Sequence, residues 1–125
     1  GASEEVTAQI MAHLHRERYL DAARFCRFYV RDKYRFNQWG RMKIAQMLRM
    51  KGLSDGDIQS GLEEIDTEEY DGILKKLLKQ KMKSIKAAND YERSMKLIRF
   101  AMGRGFTLEE IRRYVNQLDP DEDFD

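Results

Sequence analysis

The sequence predicts an all-α protein made of tandem three-helix repeats, helix-turn-helix-like, stacked into an elongated, curved body. First, the chain has a single proline and is rich in Lys, Glu, Arg, Leu and Met, which favour helix. Second, the stretch RMKGLSDGDIQSGL at 49–62 returns at 102–115 as MGRGFTLEEIRRYV, 53 positions later. Third, apolar residues recur at helical spacing around both copies. Repeated helical units bury faces against their neighbours and build extended bodies.

Each copy of the repeated stretch predicts a corner between two helices. Gly52 and Gly105 each follow an apolar-periodic segment, where a left-handed residue ends a helix. Ser54 and Thr107 then have the position and chemistry of N-caps, with an acidic residue three positions later. The helix after each corner carries an apolar stripe, which is Ile58, Leu62 and Ile65 in the first copy and Ile111, Val115 and Leu118 in the second.

The helices before the corners complete the repeats. Residues 4–18 predict one amphipathic helix, and a second helix spans roughly 21–35 with Asp21 as its N-cap. A third long helix spans roughly 67–88 with Thr67 as its N-cap. The chain therefore divides into the last helix of a shortened or truncated first repeat (1–18), a second repeat (19–66), a third repeat (67–118) and an acidic, frayed tail (119–125).

The net charge of +1 hides a strong segregation of charge. Residues 16–51 hold 11 bases against 3 acids, and residues 75–104 hold 10 bases against 2 acids. The intervening residues 52–71 hold 8 acids and no base, and residues 105–125 hold 7 acids against 2 bases. Basic and acidic blocks therefore alternate in step with the repeat.

The basic blocks contain rows of cations at helical spacing, which suit a phosphate backbone or an acidic protein groove. The alternative is a solvated face that pairs with the acidic segments of the same molecule. We expect the arginine row to matter more, because guanidinium makes bidentate contacts to phosphate and carboxylate. The candidate partner-binding residues are Arg24, Arg27, Arg31 and Arg35, then Arg41 and Lys43, then Lys75, Lys79, Lys83 and Lys86.

Aromatic residues lie among these bases in the stretch RDKYRFNQWGR. Tyr34, Phe36 and Trp39 could stack on nucleobases, or they could close a junction between two helices. The second interpretation makes Trp39 a core residue. The helix before the first corner carries several methionines, most of which we expect to pack inside the protein. Met47 and Met50 are the candidates for an interface.

Enzyme and membrane classes are disfavoured. His13 and His15 are two apart on a helix, so they face different directions and do not predict a metal site. Cys26 falls on an apolar stripe and predicts a core thiol; one cysteine excludes an internal disulfide and suits the cytoplasm. No run approaches the roughly 18 apolar residues of a membrane span, and no secretory signal is visible. The start at Gly1 without methionine suggests a cut or engineered terminus. We expect a monomeric non-enzyme without a cofactor.

Three stretches together resemble the RecX family, the bacterial regulators of the RecA recombinase. They are YLDAARFCRFYVRDK (19–33), WGRMKIAQMLRMKGLSDGDI (39–58) and KLIRFAMGRGFTLEEI (96–111). Cys26 replaces the usual alanine, and the first three-helix unit of the family is represented by one helix only. The residues that match the family pattern, with structural roles, are Leu20, Asp21, Phe25, Gly40, Gly52, Ile58, Gly105, Phe106 and Ile111.

The resemblance implies three tandem three-helix units and binding to RecA, chiefly to RecA filaments on single-stranded DNA. It implies inhibition of filament growth, ATP hydrolysis and strand exchange, in recombination, DNA repair and the SOS response. Two alternatives stay open. One is a direct DNA-binding protein in which Arg112 and Arg113 lie on a recognition helix. The other is a helical-repeat scaffold for a different partner.

Overall fold

The structure, a computed structural model, describes residues 2–118, and all of its regular elements in that range are helical. The predicted all-α fold of tandem three-helix repeats is therefore confirmed. The predicted tail at 119–125 lies outside the described residues. The helices are α1 (Ala2–Phe36), α2 (Arg41–Met50), α3 (Asp55–Glu63), α4 (Thr67–Met82), α5 (Asp90–Gly103) and α6 (Leu108–Val115).

Two three-helix units share one apolar core. In the first unit, the C-terminal half of α1 packs mainly on α3 and also on α2; in the second, α4 and α6 pack on α5. Helix α1 also contacts α4, which joins the units. Cys26 is fully buried in this core, as predicted. The largest buried side chains are Tyr70, Phe106, Ile44, Leu48, Leu74, Leu78, Leu97 and Ile111.

Helix α1 is continuous, and the predicted break near residue 20 is wrong. Asp21 lies inside the helix, where its carboxylate is 3.7 Å from Arg24, so it is not an N-cap. The stretch contains neither glycine nor proline between Ser3 and Phe36, so no residue favours ending the helix. The division of the chain into repeats at residue 19 stays a prediction.

Helix α4 also differs from its predicted bounds. Its N-cap is Asp66, whose side chain accepts a hydrogen bond from the Glu69 N–H at 3.1 Å, so Thr67 is the first helical residue and not the cap. The helix ends at Met82, six residues earlier than predicted. Asn89 then caps α5, because its side chain accepts from the Glu92 N–H at 2.8 Å.

Both corners have the predicted geometry. Gly52 and Gly105 have φ angles of +89° and +100°. Ser54 accepts a hydrogen bond from the Asp57 N–H at 3.2 Å. Thr107 forms a complete capping box: its hydroxyl accepts from the Glu110 N–H, and the Glu110 carboxylate accepts from the Thr107 N–H. Both corners therefore turn the chain by the same backbone device.

The second corner is also the joint between the two units. The Gly40 N–H donates to the Arg104 carbonyl at 2.8 Å, and the Met42 N–H donates to the Gly105 carbonyl at 3.0 Å. A Cβ on Gly40 would lie 2.3 Å from the Gly105 carbonyl carbon, so the two backbones touch. The start of α2 therefore fits against the α5–α6 corner only because residue 40 is glycine.

Candidate functional site

The arginine row lies on the exposed part of α1. Arg24 and Arg31 are exposed, and Arg27 is half-buried. Arg24 has the exposed carboxylate of Asp21 3.7 Å away. An exposed ion pair of this length holds its cation weakly, so Arg24 stays available to an anionic partner.

Arg35, at the end of this row, already has a partner in the second unit. Its guanidinium donates twice to the Glu69 carboxylate, with one Nη2–Oε2 distance of 3.2 Å. This contact lowers the pKa of Glu69, helped by a hydrogen bond from Tyr34. Arg35 therefore fixes α1 to the start of α4, and the available row consists of Arg24, Arg27 and Arg31.

Phe28 shares the face of the arginine row but was not among the residues predicted to bind a partner. It lies four residues after Arg24 and three before Arg31, so the three side chains are neighbours on the helix surface. Its side chain is 61% exposed, which is high for a large apolar residue. The spacing of Phe28 from Arg24 and Arg31 indicates this face. A phenylalanine among buried aromatic residues, however, suggests a position in the core. We call Arg24, Arg27, Phe28 and Arg31 the α1 face.

The predicted lysine row does not form a continuous surface. Lys79 is only 2% exposed, so it faces the protein interior and not a partner. Lys83 and Lys86 are exposed but follow the end of α4, so they do not extend the helical row. Lys75 is exposed, with its ammonium 4.6 Å from the centre of the Tyr114 ring.

Arg41 and Lys43 belong to the joint between the units. The Arg41 guanidinium lies 2.9 Å from the buried Glu110 carboxylate and 4.2 Å from the centre of the Tyr70 ring. The Arg41 N–H also donates to the Tyr70 hydroxyl at 3.0 Å. Burial raises the pKa of that hydroxyl. The Arg41 charge is therefore paired inside the molecule, and its contact with a partner stays a prediction.

The aromatic residues divide between core and surface. Tyr34 is buried, with its ring edge towards Tyr70 at 6.3 Å between centroids. Trp39 is half-buried between the ammonium groups of Lys33 and Lys43, which lie 5.2 and 4.6 Å from its ring. Both therefore close a helix junction, which was one of the two predicted roles. Phe36, at the end of α1, is 79% exposed.

The residues of the family pattern do not all lie in the core. Phe106, Ile58 and Ile111 are buried, and Gly40, Gly52 and Gly105 form the corners and the joint described above. Leu20 and Phe25 are exposed on α1, beside Asp21. Leu20 and Phe25 were predicted to have structural roles, but neither side chain is buried by the residues that the structure describes.

The alternative DNA-reading helix is α6. Arg112 and Arg113 are both exposed on it, and Arg113 lies 3.8 Å from Glu109 one turn earlier. Glu109 and Glu110 occupy the first turn of the helix. Carboxylates at this end of a recognition helix would repel phosphate.

Residues 2–118 contain neither a candidate metal site nor a candidate membrane span. Within residues 2–118, no three His, Cys, Asp or Glu side chains are grouped closely enough to hold a metal ion. The His13 imidazole instead lies 3.1 Å from Glu17 on the same helix. No helix between residues 2 and 118 combines the length and apolar character that crossing a membrane requires.

Comparison with known proteins matches both units to one family. The model described as "RecX, second three-helix domain" matches residues 21–62, and "RecX, third three-helix domain" matches residues 68–115. The class defined by the fold is thus a tandem three-helix-repeat protein. This chain belongs to the RecX family of regulatory proteins.

Individual relatives agree with this assignment. A "Regulatory protein RecX" of Oceanobacillus iheyensis is 30% identical over 122 residues, which are 98% of this chain and 45% of the relative. The protein of the same name from Clostridium tetani is 28% identical, over 94% of this chain and 55% of the relative. That of Enterococcus faecalis is 31% identical, over 91% of this chain and 43% of the relative. The chain spans about half the length of these relatives. No solved structure gives a significant match.

Proposed function

We propose that this chain binds RecA, chiefly the RecA filament on single-stranded DNA, and inhibits filament growth, ATP hydrolysis and strand exchange. The observation that carries this proposal is the match of both three-helix units to consecutive RecX domains. The role belongs to recombination, DNA repair and the SOS response. We further propose that the chain acts in the cytoplasm as a monomer, by binding and not by catalysis.

The α1 face is the surface that we assign to this contact. It carries three guanidinium groups and one exposed phenylalanine, a combination that can bind carboxylates or phosphates and also bury apolar area on a partner. Arg24 and Arg31 reach solvent over about 10 Å of helix, from the rise of 1.5 Å per residue.

The test is fluorescence anisotropy of the labelled chain against bare single-stranded DNA, free RecA, and RecA–DNA filaments formed with a non-hydrolysable nucleotide. Each titration is run at two salt concentrations. We expect tight binding to filaments, with little binding to bare DNA at the higher salt. Equal affinity for bare DNA with and without RecA would contradict the proposal.

Charge reversal locates the contact. The double variant Arg24→Glu/Arg31→Glu should weaken filament binding by about tenfold or more. Two attractive charge contacts are replaced by carboxylates that repel an anionic partner. The matched control is Arg112→Glu/Arg113→Glu, which makes the same charge change on the exposed surface of α6. Unchanged filament affinity of the α1 variant would exclude the α1 face.

Direct DNA binding is the second candidate, because Arg112 and Arg113 are both exposed on α6. Binding through 6–10 phosphates should weaken by about 10³ to 10⁵ between 50 and 200 mM salt. In that case the α6 variant, and not the α1 variant, would lose binding. The two variants therefore separate the two functions in one set of titrations.

A further inference from the structure

A groove lies where the two units meet, on the side of the joint formed by α2 and the C-terminal end of α5. Its volume is about 380 Å³. Neither the arginine row nor the family pattern includes its apolar side chains. Its lining side chains are Met42, Lys43, Gln46, Met47 and Arg49 from α2, and Met102 from α5.

The groove is held open by the joint. One wall is α2 and the other is the end of α5, so its width depends on how the two units are placed. The hydrogen bonds from Gly40 to Arg104 and from Met42 to Gly105 fix that placement. A groove that is formed before binding requires little ordering when a ligand enters.

The lining combines exposed methionine with positive charge. Met42 is 60% exposed and Met102 is 51% exposed, on opposite walls. Lys43 and Arg49 flank them, and no acidic side chain of residues 2–118 lines the groove. Within residues 2–118, Arg49 pairs with the exposed Asp55 at 3.3 Å, and such a pair competes weakly with a ligand.

We propose that this groove is a docking site for an acidic protein segment that carries an apolar anchor residue. Methionine side chains adapt to the shape of an inserted apolar group, and the cations at the rim attract carboxylates. Single-stranded nucleic acid fits less well, because no aromatic ring of the described residues lines the groove, so a base has nothing to stack on. The proposal goes beyond the proposed function, because it concerns a different surface and does not require RecA as the partner.

The experiment uses the methyl resonances of methionine in the whole chain. The probe is a short helical peptide with glutamates on one face and leucines at i and i+4 on the other. We expect saturable shifts at Met42, Met47 and Met102, while Met11 and Met95 do not shift. A peptide with both leucines replaced by serine should bind about tenfold more weakly or worse, because the apolar anchor is lost.

Variants test the groove directly. Met42→Glu and Met102→Glu should each weaken peptide binding by about tenfold, since each removes apolar contact and repels the acidic probe. Both positions are exposed, so the fold should survive, which circular dichroism checks. The matched control is Met95→Glu, the same change at an exposed methionine of α5 outside the groove, and it should bind normally.

The outcomes that would overturn the proposal are distinct. Absence of saturable shifts at the groove methyls, or equal affinity for the serine peptide, would exclude an apolar-anchored ligand. Stronger response to single-stranded oligo-dT than to the acidic peptide would make the groove a nucleic-acid surface.

Discussion

The two helix corners share a sequence pattern and a backbone conformation but differ in what lies against them. Around a Cβ placed on Gly52 there is no described atom within 4 Å, whereas one on Gly105 would lie 2.4 Å from the Lys43 Cβ. The same local sequence therefore makes the same turn twice. Whether the turn also joins two units depends on a second glycine, Gly40, that is 65 positions away in the chain.

The caps of the two corners differ in the same way. Asp57 follows Ser54 by three residues and is buried, but among the described contacts only the Ser54 side chain forms a capping hydrogen bond. Glu110 completes the box with Thr107 and at the same time binds Arg41 of the other unit. One carboxylate thus ends a helix and links two units.

The largest difference should appear when alanine replaces each corner glycine. Gly52→Ala should cost about 1–2 kcal/mol in unfolding free energy, from the left-handed conformation alone. Gly105→Ala should cost about 3 kcal/mol or more, because the new methyl also collides with Lys43 and opens the joint. Urea denaturation of both variants measures the two costs. Equal losses would show that the joint does not depend on the close approach.

The next largest effect should come from Arg41. Arg41→Gln leaves the carboxylate of buried Glu110 without its cation and should cost about 1.5–3 kcal/mol. Arg49→Gln is the control at the first corner: its pair with Asp55 is exposed and should be worth less than about 1 kcal/mol. A double-mutant cycle of Arg41→Gln with Glu110→Gln measures the coupling. A coupling near zero would contradict this account.

A smaller effect is expected from the caps themselves. Thr107→Ala should destabilise the protein by about 1–2 kcal/mol and Ser54→Ala by about 0.5–1 kcal/mol, because Thr107 is half-buried and Ser54 is exposed. Thermal unfolding of the two single variants ranks them. The reverse order would mean that burial does not strengthen the second cap.

The smallest effect is expected from the contact between Arg35 and Glu69, which links the two units away from the corners. Its loss should change the stability of the protein at acidic pH. Arg35 holds the pKa of Glu69 below its usual range. This contact therefore stabilises the fold above the unfolded-state pKa of about 4.3, and the contribution is lost as the pH falls through the lower folded-state pKa. Glu69→Gln should make urea stability less dependent on pH in that acidic window. Glu68→Gln is a charge-matched control in the same helical turn, and identical profiles for both variants would remove Glu69 as the cause.

The sequence predicted the corners well because their signals are local. A glycine after an apolar-periodic run and a hydroxyl two residues later define the turn within a few positions, as Gly105 and Thr107 show. The bounds of α1 were harder to predict, because Asp21 is a good N-cap residue that a helix interior also tolerates. Without glycine or proline nearby, no local signal distinguishes these two cases.

The features that could not be predicted depend on distant parts of the chain. Lys79 has the spacing of an exposed row, yet the packing of α4 puts it in the interior. Arg41 and Glu110 are 69 residues apart in the chain, and only the joint brings them together. The methionine groove likewise needs both units in place, so Met42 and Met102 show nothing unusual in sequence.

The joint also gives the two units different roles. At the repeat offset, the position that corresponds to Gly40 is Arg93, which lies inside α5 because that helix begins earlier, at Asp90. Its N–H already donates to the Asn89 carbonyl at 3.1 Å, whereas the Gly40 N–H reaches the next corner. The backbone contact made by Gly40 is therefore not repeated at the equivalent residue of the second unit. The contact between the units is therefore heterologous: the first unit supplies the backbone donors, and the second supplies the acceptors.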